Sequence, residues 1–228
     1  MNKILTLAFM LLAMPVFSYA QDWANTTRYA QENKKVTVKP KAVFMGDSIT
    51  QCWPDSDPAF FTYNNFLCRG ISGQTTAHML CRFRKDVLDL DPEYVVILSG
   101  DHIYKMDYAE MIENHKKNGA DCTIAVFDVP LSEASRFGIM TTDSEMRITE
   151  FAEKPKEPKS TKASMGVYVF SKDKLFSYLE ADEADENSEK DFGKNITPAM
   201  LNAGERLFAF EFSGYWKDVG TIDSLWEA

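Results

Sequence analysis

The stretch KAVFMGDSIT places Ser48 just past a short apolar run, with Gly46 free to make a tight turn before it. A hydroxyl held at a strand tip beside a helix N-terminus is an arrangement used by serine nucleophiles. The same residues also serve as helix N-caps. A serine nucleophile needs a base, and the chain offers three imidazoles: His78, His102 and His115. His78 and His115 fall on predicted helices, where surface or capping roles are expected, and His102 follows Asp101 in an acidic loop. On composition, Lys154 reads as a solvated lysine in a Lys- and Pro-rich loop, and Asp218 as a helix N-cap before the last segment. Cys52, Cys68, Cys81 and Cys122 contain no CxxC pair, so no metal cluster is expected. One or two disulfides are permitted in an oxidising compartment, and buried free thiols are the favoured reading.

The elements that must position these residues alternate. KAVFMGDS is a strand running into a turn, and NNFLCR (64–69) is a weaker strand followed by the turn GISG. A helix is predicted over 75–90, and YVVIL (94–98) is a continuous β-branched run, as in a strand covered on both faces. Beyond Asp101 follow an amphipathic helix over 108–118 ended by Gly119, the strand CTIAVFDV, and a strand-turn-strand unit ending at Pro155. Then come the strand GVYVFS, a helix over 172–180, an acidic linker and a closing incipient helix. The pattern predicts an α/β fold: a doubly wound, mostly parallel sheet with helices on both faces. Residues 21–38 read as a polar, loose leader.

With 228 residues and 45% hydrophobic content the chain can build a real core. A net charge of −9 argues against nucleic acid or an anionic membrane as the main partner, because both repel an acidic surface. The first twenty residues carry Lys3, an apolar run from Ile4 to Phe17 and the small-residue pattern Ser18-Tyr19-Ala20. This predicts a signal peptide cleaved after Ala20 and an exported, periplasmic or secreted chain without stable membrane association.

KAVFMGDSIT followed by RGISGQTT resembles the first two blocks of the SGNH (GDSL-type) ester hydrolases, over roughly residues 37–90. The resemblance implies Ser48 as nucleophile, with its own N–H and that of Gly73 donating to an oxyanion. The family's next block is Gly-x-Asn-Asp. Here VVILSGDHIY puts His102 at the Asn position, where it could donate a hydrogen bond. The family's late Asp-x-x-His, which supplies the base, has no counterpart.

From residue 93 a different vocabulary takes over. SGDHIYKMDY, ASRFGIM, EFAEKPK, ASMGVYVF, DFGKNITPAML and GYWKDVGTIDSLWEA resemble glucose-1-phosphate adenylyltransferase, six blocks in the family's order. The resemblance implies that Asp101 and Asp218 hold Mg²⁺. It further implies that Glu153 and Lys154 grip a sugar phosphate, and that Ser164, Gly166 and Gly138 line the sugar pocket. The Gly-rich loop G-G-x-G-x-R-L, by which the family holds its nucleoside triphosphate, occurs nowhere in the sequence, and no β-helix segment is readable.

The expectation is therefore a chimera: a signal peptide (1–20), an ester-hydrolase-like part (21–92) and a sugar-nucleotidyltransferase-like part (93–228). They join inside LDLDPEYVVILSGDHIYKMDY, in one continuous hybrid sheet with neither active site complete. Two alternatives stand beside it, an exported ester hydrolase using Ser48 and a module binding glucose 1-phosphate and Mg²⁺.

Overall fold

In the computed structural model, residues 22–228 are described. The leader read at residues 1–20 and its cleavage site lie outside the described residues. An eight-stranded sheet forms the centre, with the path β2 (Phe66–Gly70), β1 (Ala42–Gly46), β3 (Tyr94–Ile97), β8 (Lys162–Ser171), β5 (Cys122–Asp128), β9 (Leu207–Glu211). β6 (Gly138–Thr142) and β7 (Ile148–Glu153) branch from β8 as an antiparallel pair. Five of the six strands on the path point the same way. β8 alone runs against its neighbours β3 and β5. A separate two-stranded ribbon joins β4 (His102–Tyr104) to β10 (Trp216–Asp218).

The sheet is continuous across residues 88–96, the expected join. β1 pairs with β3 and β3 with β8. Val95 and Val96 are fully buried on opposite faces, as the β-branched run predicts. One face gathers Val43, Met45 and Val95 with Ile124 and Phe170, the other Phe44, Phe61 and Val96 with Met111 and Val167. Tyr108 packs edge-on to Phe44, ring centroids 5.8 Å apart, so aromatic residues from before and after β3 share one core.

Local chemistry sets the helix ends. Asp47 caps α2 (Ser48–Ser56) by accepting from Ile49 N–H, and Asp57 caps α3 (Pro58–Asn64) from Phe60 N–H, with Pro58 in the first turn. α4 (Thr76–Asp86) is shorter than predicted because its last turn becomes a 3₁₀ segment, Leu88–Leu90. α5 (Tyr108–Lys117) ends before Gly119 at φ +55°, and α6 spans Lys172–Ala184.

Two expectations are corrected. The segment read as loose carries α1 (Ala30–Asn33), and its Tyr29 is buried with its hydroxyl donating to Gly70 O, while Asn33 bonds both Arg69 and Asp86. All four cysteines are free, but only Cys122 is buried, whereas Cys52 and Cys81 are exposed. No described helix is long and apolar enough to cross a membrane.

Candidate functional site

Asp101 and Asp218 are far apart in sequence, and the β4–β10 ribbon brings them together. Its register sets Asp218 opposite His102, and Val219 N–H donates to Asp101 O at 2.9 Å. One ligand atom each from Asp101, His102 and Asp218 lies within 4.8 Å of the other two. Gly220 sits over both carboxylates. A β-carbon there would stand 3.1 Å from Asp101 Oδ2 and from Asp218 Oδ1, so a side chain would crowd the space between them. Each carboxylate also accepts a hydrogen bond: Ser99 Oγ donates to Asp101 Oδ1 at 2.7 Å, and Gly220 N–H to Asp218 Oδ1 at 2.9 Å. Oxygens of this kind, held by outer hydrogen bonds, suit a hard divalent cation.

A second group forms where β7 ends. Glu153 pairs with Gly138 across β6–β7, and β-carbons at Gly138 and Gly193 would stand 2.8 and 2.7 Å from Glu153 Oε2. Two glycines thus leave backbone bare against this carboxylate. Burial raises the Glu153 pKa, with Lys154 opposing the rise. Lys154 Nζ lies 3.8 Å from Glu153 Oε1 and is largely exposed, with its backbone in the left-handed region at φ +46°. On β8, Gly166 at φ +65° backs onto Ser99 and His102, and its N–H donates to Ser164 Oγ at 3.3 Å. Tyr168, its pKa pushed up to about 12 by burial, stacks on Phe192.

Ser48 is the first residue of α2 and partly buried, while its neighbour Asp47 takes the capping role. Gly73 is exposed at φ +73° with open space around it. Among the described residues no imidazole is hydrogen-bonded to Ser48. His78 Nδ1 accepts from Thr75 N–H, and His115 is buried against Thr123 Oγ1 and Ser171 Oγ. His102 Nδ1 bonds Met165 O at 2.7 Å. The Ser48 and Gly73 positions therefore share no hydrogen bond with any of the three imidazoles.

A nucleotidyl transferase profile matches residues 65–228, starting just ahead of β2 and taking in both groups above. The chain belongs to the nucleotidyl transferase family. It is similar to the glucose-1-phosphate adenylyltransferase of Clostridium acetobutylicum, 62% identical over 153 residues, which covers 67% of this chain and 40% of that one. Enzymes of the same name from Clostridium perfringens strains 13 and SM101 are each 64% identical over 138 residues, 60% of this chain and 35% and 36% of theirs. The chain thus spans well under half the length of these curated relatives.

Several contributors were not singled out in the sequence: Ser99, the Met165 carbonyl, Gly193 and Gly220. All four lie in blocks quoted above, SGDHIYKMDY, ASMGVYVF, DFGKNITPAML and GYWKDVGTIDSLWEA, but nothing local assigns them a role. Ser99 acts through its hydroxyl, Met165 through its carbonyl, and Gly193 and Gly220 through the room their missing side chains leave.

Proposed function

We propose that the chain is the sugar-phosphate- and cation-binding half of a glucose-1-phosphate adenylyltransferase-like domain, fused near residues 88–96 to a first strand and turn of ester-hydrolase character. It binds its ligands without completing nucleotidyl transfer. The convergence of Asp101 and Asp218 beneath Gly220 carries this reading. Mg²⁺ held there would neutralise phosphate charge. Lys154 supplies an ammonium for the sugar phosphate, and Glu153 accepts from sugar hydroxyls where Gly138 and Gly193 leave room.

The resemblance places a Gly-rich phosphate loop after the first strand. Here that position holds Gly46-Asp47-Ser48, with the Asp47 carboxylate turned onto Gly100. A carboxylate repels the phosphates that such a loop would cradle. Export through the leader read at residues 1–20 would also separate the chain from intracellular ATP. The ester hydrolase reading is less well supported, because each histidine is hydrogen-bonded to a group other than Ser48.

Calorimetry with glucose 1-phosphate and MgCl₂ tests the proposal. Wild type is expected to give heat that Lys154→Ala and Asp218→Asn abolish, with no pyrophosphate released when ATP is added. Absence of heat in wild type, or release of pyrophosphate, overturns it.

A further inference from the structure

His102 carries the inference. Its Nδ1 lies 2.7 Å from the Met165 carbonyl oxygen. A carbonyl only accepts, so Nδ1 bears the hydrogen and Nε2 is left to act as a lone-pair donor. Among the described residues Nε2 has no hydrogen-bond partner; the nearest carboxylate oxygen, Asp101 Oδ1, is 3.6 Å away. The side chain is only 10% exposed and faces the two aspartates. Trp216 meets the imidazole edge-on at 5.3 Å, and Gly166, lacking a side chain, leaves room beside Cε1, where a β-carbon would stand 3.6 Å away.

This is how a metal-binding imidazole is prepared: the distal N–H is anchored on a backbone carbonyl, which fixes the tautomer and points the free nitrogen at the ion. Mg²⁺ does not need it. Mg²⁺ prefers oxygen donors and keeps its waters, whereas imidazole nitrogen favours first-row transition ions.

We propose that His102 Nε2 is a third protein ligand beside Asp101 and Asp218, making this a one-nitrogen, two-carboxylate site selective for Mn²⁺ or Co²⁺ over Mg²⁺. The inference rests on the reading of Asp101 and Asp218 as the cation site. It adds a ligand and reverses the expected ion preference.

The test uses the full chain with MnCl₂, CoCl₂ and MgCl₂ in calorimetry, and Co²⁺ visible absorption as a direct report of nitrogen ligation. Wild type is expected to bind Mn²⁺ and Co²⁺ about tenfold or more tighter than Mg²⁺. His102→Ala should cost about tenfold or more in Mn²⁺ and Co²⁺ affinity and change the Co²⁺ spectrum, with Mg²⁺ affinity within about twofold of wild type. His102→Asn retains an N–H for Met165 O but lacks Nε2, so it should behave like His102→Ala while melting like wild type. Equal affinities for the three ions, or a Co²⁺ spectrum unchanged in both variants, overturns the inference and leaves the two-aspartate reading intact. If no divalent ion binds wild type, that reading and the inference fail together.

Discussion

A β-carbon added to Gly100 would stand 2.3 Å from Asp47 Oδ2 and 2.9 Å from its Cγ. The two residues follow the neighbouring strands β1 and β3, so a glycine after one strand accommodates a carboxylate after the other. Asp47 is not free to retreat, because its Oδ1 caps α2 through Ile49 N–H. Gly100→Ala is therefore expected to lower stability by about 1–3 kcal/mol, from overpacking and partial loss of the cap. Urea unfolding checks this, and repeating the substitution in an Asp47→Ala background should shrink the cost to a few tenths of a kcal/mol. An undiminished cost in that background would show that the strain lies elsewhere.

Lys154 adopts φ +46° without being glycine, next to Glu153 at the proposed sugar-phosphate group. Strained backbone concentrates where function holds it in place. Lys154→Gly should raise thermal stability, by about 0.5–1 kcal/mol, because glycine adopts this conformation at no steric cost. The same variant should lose glucose 1-phosphate binding in calorimetry. A glycine variant that binds as wild type does would remove Lys154 from the site.

His115 supplies a pH prediction. Burial depresses its pKa from 6.5 to about 4, with Arg206 adding to the depression and Asp121 opposing it. The unfolded chain therefore takes up this proton near 6.5, and the folded chain only near 4. The stability contributed by the neutral, hydrogen-bonded ring is present above 6.5 and is lost as pH falls toward 4. The slope is up to about 1.4 kcal/mol per pH unit for a single proton. His115→Gln should flatten the curve of unfolding free energy in that window. Glu153, its pKa raised by burial, acts in the opposite sense, so the informative quantity is the difference between wild type and variant at each pH. Parallel curves would disprove the role of His115.

Much of this arrangement was legible in residue patterns. YVVIL announced a strand covered on both faces, and Gly119 marked the end of α5, while its Asp107 cap was not read. Strand direction was not legible, because an apolar run carries no sign of its polarity, and β8 runs against the rest. Nor was the anchoring of residues 22–38. Tyr29 and Asn33 sit in a polar stretch, and only their partners on β2 and α4 bury the first and half-bury the second. Asp101 and Asp218 were named through family resemblance, but their orientation depends on Ser99 and Gly220, whose roles appear only once the β4–β10 ribbon forms.

Whether residues 22–92 and 93–228 act as one folding unit is a question for the buried pair Arg82–Asp86. Their side chains are 0% and 1% exposed, 3.0 Å apart, with Gln74 and Asn33 completing the network. Arg82 Nη2 has no partner among the described residues, so the guanidinium already depends on this one carboxylate. Asp86→Ala should cost about 3–5 kcal/mol by leaving a buried charge uncompensated. The consequence must then cross from α4 to the rest of the fold. β1 and β3 provide a continuous hydrogen-bonded route. Side chains provide a second route, because Met45 and Phe83 share one core cluster with Ile124, Phe170 and Ile196, and Phe192 packs against it. If these routes hold, unfolding is all-or-none. Variants keeping only Trp53 or only Trp216 as fluorophore should then show the same shift in denaturation midpoint on Asp86→Ala. A shift at Trp53 with none at Trp216 would mean that the parts unfold separately and the shared sheet does not couple them.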